Sequence, residues 1–181
     1  MPRSSPVTTP RRGPFTPRLP ARLCYVLGRV AAPNRLWRYV ADFLEAHPIG
    51  YRALNRAEEA VKAATFGCSA CGQCALPHTG YACPMTCPKE LRNGPCGGVR
   101  SDGGCEVFPG QRCVWVVGYE RARAAGELVG FAPLIRPADH RRFGESSWVN
   151  YWAGRDEHLI EAPRREGGRP KFHGELLGAR E

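Results

Sequence analysis

Residues 66–113 read FGCSACGQCALPHTGYACPMTCPKELRNGPCGGVRSDGGCEVFPGQRC, and eight of the nine cysteines of this 181-residue chain fall inside that stretch. They are Cys68, Cys71, Cys74, Cys83, Cys87, Cys96, Cys105 and Cys113, spaced C-x2-C-x2-C-x8-C-x3-C-x8-C-x8-C-x7-C. Disulfides do not suit the pattern: no export signal is recognisable, and cysteines two residues apart rarely bridge one another. Structural zinc gathers four ligands around one point, usually from two C-x2-C knuckles. The overlapping triple Cys68-Cys71-Cys74 serves that poorly. An iron–sulfur cubane offers several irons on one face, so a tight C-x2-C-x2-C turn reaches three of them. The fourth ligand then comes from a distant cysteine, commonly one followed by proline, a form that both Cys83-Pro84 and Cys87-Pro88 have. Eight cysteines make two sets of four, so two [4Fe–4S] clusters fit the count. One cluster with one zinc is the next arrangement, zinc alone is the alternative, and the sharing of ligands is open.

Glycines at 67, 72, 80, 94, 97, 98, 103 and 104 allow the backbone to wrap closely and turn N–H groups toward sulfur. Ser101-Asp102-Gly103-Gly104 reads as the turn of a short β-hairpin between Gly97–Arg100 and Cys105–Phe108. His78 reads as a turn or surface histidine, and Lys89, Glu90 and Arg92 as a solvated face. Cys24, outside the cluster, reads as a small buried hydrophobe.

Outward from this segment the chain is expected to be small, α+β and loop-rich, with 21 glycines and 17 prolines. A Pro/Arg-rich arm over residues 1–33 is expected to be disordered, with a short helix whose face carries Leu19, Leu23, Val26, Leu27 and Val30. A helical hairpin is expected over residues 34–65. Asn34 caps its first helix, whose apolar positions are Leu36, Trp37, Val40, Phe43 and Leu44. After a turn at Pro48-Ile49-Gly50, the second helix sets Leu54, Ala57, Ala60, Val61 and Ala64 against Arg56, Glu58 and Lys62. The cysteine-rich, metal-stapled domain spans 66–126 and ends in a helix terminated by Gly126. Its start, Val114-Trp115-Val116-Val117, suits strand or helix equally. A packing segment over 127–160 holds a short aromatic helix capped by Ser146, with Trp148 and Trp152, like Trp115, as core or interface anchors. A polar tail follows over 161–181.

The formal net charge of +9 is local: residues 1–41 carry eight arginines and no acid, and the rest carries 18 basic against 17 acidic side chains. A nucleic-acid surface needs basic groups clustered on an ordered face with aromatics between them, and the body lacks one. An Arg-rich nucleic-acid-associated protein is therefore only a third reading. No apolar run approaches a membrane span, and a cytoplasmic location is expected. No nucleophile with its base and no phosphate-binding loop is visible, so no autonomous catalytic site is expected.

The run T-C-P-K-x-L-R-N-G-P-C-G-G from Thr86 to Gly98, with the flanking Cys71, Cys74, Cys83, Cys105 and Cys113-Val114-Trp115, resembles the methylenetetrahydrofolate reductase C-terminal domain family. The resemblance is specific from Phe66 to Tyr119 and looser over 34–65 and at Ser146-Ser147-Trp148. It implies a small metal-carrying subunit, with iron–sulfur clusters and zinc as the alternative. Such a subunit works beside a flavin-containing reductase barrel that itself binds flavin and folate, and links the flavin to an electron donor. Cys71, Cys74, Cys83, Cys87, Cys96, Cys105 and Cys113 match the family's cysteines, and Cys68 completes the triple. This chain contains no barrel pattern, so flavin and folate belong to the partner. A zinc-stapled interaction module without redox function is the competing reading.

Overall fold

A computed structural model describes residues 15–131 and 133–161. The first part of the proline-rich arm and nearly all of the expected polar tail lie outside the described residues. Among those described, the order is α1 (Ala21–Val30), α2 (Arg35–Ala46), α3 (Pro48–Phe66), α4 (Val114–Ala125), α5 (Leu128–Phe131), β1 (Leu134–Ile135), α6 (Ser147–Trp152) and β2 (Ile160–Glu161). The two strands pair antiparallel, Ile135 opposite Ile160. Between α3 and α4 the regular structure is two short 3₁₀ turns, Leu76–His78 and Pro84–Thr86. No described helix is long and apolar enough to cross a membrane.

Helix starts follow the local chemistry. Asn34 lies extended and its side chain accepts the Trp37 N–H at 3.0 Å. Ser146 accepts the Val149 N–H at 3.2 Å, satisfying an otherwise orphaned donor of α6. Pro48 occupies the first position of α3, where its missing N–H costs nothing. The expected Pro/Gly turn therefore contracts to His47, and Ile49 and Gly50 belong to the helix. Val114–Val117 is helical from its first residue, because Val114 and Trp115 bury along a helical face beside α5.

The expected β-hairpin is reduced to isolated bridges. Its turn forms, with Arg100 N–H donating to the Gly104 carbonyl at 3.0 Å. Beyond it lie the single pairings Val99 with Cys105 and Gly104 with Arg112. The arms carry glycine where cross-strand side-chain pairs would hold a ladder.

One helix face is the reverse of the expected one, and a second is so in part, with Leu54 packing inward and Arg56 exposed. On α1 the leucine–valine face is open, Leu23, Val26, Leu27 and Val30 being 45–66% exposed, while Cys24 is buried at 3%. Arg121 of α4 enforces this orientation, donating to the Gly80 and Leu19 carbonyls at 2.8 Å each and lying 3.9 Å from Cys24 Sγ. On α3 the buried side chains are Glu58, Lys62 and Phe66, and Val61 is exposed. Alanines are cheap to leave in water, whereas Glu58 and Lys62 satisfy one another inside.

Three small apolar clusters result. One joins α4 to Ile135 and Leu159, a second surrounds Cys24, Phe66, Leu76 and Tyr81, and the third packs α2 on α6. In the third, Trp37 stacks on Trp152 at 4.5 Å, and their indole N–H groups cap α1 by donating to the Val30 and Ala31 carbonyls at 3.1 and 3.0 Å. Trp115 is likewise a core anchor, its Nε1 donating to the Leu91 carbonyl at 3.2 Å.

Candidate metal centres

Irregular backbone cannot hold eight cysteines in place without partners, and amide side chains from within the segment and from α6 supply them. Gln73 brackets the Asp139 backbone, donating to its carbonyl at 2.9 Å and accepting its N–H at 3.2 Å. Asn93 treats Ile135 the same way, at 2.6 and 2.8 Å. Asn150 of α6 donates to the Gly72 carbonyl at 3.0 Å. Gly72 has φ +71°, and a Cβ there would fall 2.1 Å from the Arg142 carbonyl oxygen, so backbone meets backbone at the cysteine triple.

The fold divides the eight clustered cysteines into two sets. Cys68, Cys71, Cys74 and Cys83 line one cavity. Cys87, Cys96, Cys105 and Cys113 line a second. The division follows chain order and falls at the Pro84–Thr86 turn, which Thr86 closes by donating its hydroxyl to the Cys83 carbonyl at 2.7 Å. All nine cysteines are free thiols. Among the described residues no three Cys, His, Asp or Glu side chains converge on a point suited to a single ion. Cys24 lines neither cavity. His78 turns its Nδ1 to the Gly130 carbonyl at 3.2 Å, as a turn histidine would.

Cys68 and Cys83 are poorly suited to nucleophilic work. Burial pushes Cys68 up to about 11, with the neighbouring Cys74 adding to it, and burial pushes Cys83 well above the ordinary thiol value. An activated cysteine needs a shift in the opposite direction. Buried and half-buried thiols grouped in fours suit a group that displaces their protons on binding, as a metal centre does.

The first cavity also carries buried charge that the sequence does not reveal. Lys62 donates to Glu58 Oε1 at 2.7 Å and to Ser147 Oγ at 2.6 Å, and sits 5.1 Å over the Trp148 ring. Ser146 Oγ donates to the other Glu58 oxygen at 2.5 Å. Burial would raise Glu58, but the Lys62 charge and these hydrogen bonds hold it below its usual value. Burial would lower Lys62, yet Cys74, Glu58 and Cys68 together hold it above its usual value. Arg92, expected on a solvated face, is 7% exposed and lines the same cavity, so that reading is corrected. Lys89 and Glu90 do lie at the surface. Lys89 reaches Cys96 Sγ at 3.7 Å on the rim of the second cavity and pairs there with Glu106. A stripe recurring every four residues, Leu54-Glu58-Lys62-Phe66, could have exposed the inward face of α3. No comparable periodicity marks Arg92.

Helices framing a cysteine segment with two four-thiol cavities define the class: a small, cysteine-rich candidate metal protein. Residues 50–141 match the family model described as methylene-tetrahydrofolate reductase C terminal, and the chain belongs to that family. The matched span contains all eight clustered cysteines together with Glu58, Lys62 and Arg92. No curated protein and no solved structure matches the chain.

Proposed function

We propose that this chain is an iron–sulfur electron-transfer subunit of a methylenetetrahydrofolate-reductase-type complex in one-carbon metabolism. Cys68, Cys71, Cys74 and Cys83 would hold one [4Fe–4S] cluster, and Cys87, Cys96, Cys105 and Cys113 a second. The observation that carries this reading is the division of the eight cysteines into two sets of four, each around its own cavity. Thiols spread around a cavity suit a multi-iron group better than a single tetrahedral ion, which needs all four sulfurs at about 2.3 Å from one point. Iron–sulfur clusters held by such sets supply one-electron transfer. The residues of this chain hold the thiols apart, exclude water with Phe66, Leu76 and Trp115, and balance charge with Lys62 and Arg92. Flavin and folate would sit on a partner barrel, since the described residues form none.

The test is anaerobic purification with iron, sulfide and zinc analysis and a visible spectrum. About eight irons and eight sulfides per chain are expected, with absorbance near 400 nm that bleaches under dithionite. Cys74→Ser should remove about half the iron, and Cys96→Ser the other half. Zinc without iron would overturn the reading and leave a structural module in its place. Cys24→Ala should retain all the iron, and a loss there would make the ninth cysteine a ligand.

A further inference from the structure

We infer that Arg92 sets the charge of the first cavity and thereby raises the reduction potential of the group that Cys68, Cys71, Cys74 and Cys83 hold, an inference that rests on the iron–sulfur reading above. A guanidinium stays charged at any pH a protein survives. Arg92 carries that charge inside the protein, 7% exposed. Its Nη1 lies 4.0 Å from Cys71 Sγ, and its Nη2 donates to the Gln73 carbonyl at 3.4 Å. Its Nε is buried with no partner among the described residues. A buried cation with a free donor is costly unless something anionic faces it. The cavity it lines, ringed by four sulfurs, is where that counter-charge belongs.

Among the described residues the other cations near the two cavities are bonded to carboxylates. Lys62 is bonded to Glu58, although its charge also acts on Cys74 and Cys68. At the second cavity Lys89 and Arg112 are exposed and paired with Glu106 and Glu120. The nearby half-buried carboxylate Asp156 is raised to about 6 by burial against the opposing charges of Arg142, Lys62 and, more weakly, Arg92, and its buried Oδ2 has no partner among the described residues. Arg92 is thus the cation aimed at a thiol set and bonded to no carboxylate.

Reduction adds one electron, here from dithionite through mediators, with no bond made or broken. It adds one negative charge to a buried, four-thiolate centre. A cation touching one of those sulfurs stabilises the reduced form more than the oxidised one, and the potential rises.

The experiment is an EPR-monitored redox titration of the iron-loaded full chain, the first-site signal being the one lost in Cys74→Ser. Arg92→Gln should keep its iron and sulfide and titrate at a lower midpoint potential, whereas Lys89→Gln should leave the first-site midpoint where it was. Full iron with an unmoved first-site midpoint in Arg92→Gln overturns the inference and leaves the cluster reading intact. Absence of iron from the wild-type chain overturns both. Should Arg92→Gln fail to accumulate, Arg92→Lys decides: a wild-type midpoint supports a charge effect, and a lowered one with full iron overturns it.

Discussion

Glu58 and Lys62 are the residues whose roles depend most on where the fold puts them. On an exposed helix such an i, i+4 pair contributes a few tenths of a kcal/mol. Here both side chains are about 5% exposed, and their partners come from α6: the Ser146 and Ser147 hydroxyls and the Trp148 N–H. Removing one partner strands the other in a nonpolar setting. Lys62→Met should therefore cost about 3–5 kcal/mol in denaturant unfolding. A loss under 1 kcal/mol would show that Glu58 finds water or another cation. The pH dependence follows from the same geometry. Glu58 has its folded pKa below the ordinary 4.5, so its contribution is complete above that value and disappears as pH falls through the folded one. Lys62 is raised above 10.5, so its contribution is complete below that and lost only in strong alkali. Besides each other and the α6 groups, the facing titratable groups are the Cys68 and Cys74 thiols, which act on Lys62, and Asp156, on which Lys62 acts. Wild-type stability should thus fall between pH 4.5 and more acidic conditions along a steeper limb than in Glu58→Gln. Parallel limbs in urea titrations across that range would refute the assignment.

At the scale of elements, legibility depended on whether the signal was local. Asn34, Ser146 and Gly126 marked helix ends because a cap is a contact within four residues. The expected β-hairpin keeps its turn without a ladder, because a turn sequence specifies a turn and says little about the strands beyond it. The open face of α1 is illegible in the sequence, since Arg121, far along the chain, decides it; on α3 the Leu54-Glu58-Lys62-Phe66 stripe marks the inward face, but not the Ser147 that satisfies its charges. Arg92 escaped for the same reason, because its burial depends on the packing of the whole cysteine segment. One element contact can be tested directly. Gly118 lets α4 lie against the turn at Leu76–His78, and a Cβ there would fall 2.6 Å from the Thr79 carbonyl oxygen and 3.1 Å from the Phe131 ring. Helix propensity alone predicts that Gly118→Ala stabilises by about 1 kcal/mol. Overpacking predicts a penalty of about 1–3 kcal/mol, and the penalty should win because the obstructing atom is backbone. A rise in melting temperature would show that α4 can shift without cost.

The whole molecule divides between what its apolar clusters hold and what its thiols are placed to hold. The α2–α6 cluster contains no cysteine: Ala41, Val149 and Trp152 are its buried members, and the Trp37–Trp152 stack seals it. The other two clusters include Cys113 and Cys87 in one and Cys24, Cys83 and Cys74 in the other, so each sets thiols among its hydrocarbon side chains. Residues 67–113 add little regular hydrogen bonding of their own. On the proposed reading, metal binding is therefore part of the folding free energy of that half and of little consequence for the other. Stripping iron from the full chain with an oxidant and a chelator should raise hydrogen-exchange rates across residues 67–113 and α4. Protection in α2, α6 and the first turns of α3 should change little, and far-UV circular dichroism should retain most of its helical signal. Equal loss of protection in α2 and α4 would mean that the chain unfolds as one unit and that the tryptophan stack cannot stand without the cysteine segment. Unchanged exchange throughout 67–113 would mean that the amide clamps of Gln73, Asn93 and Asn150 suffice to hold that segment without metal.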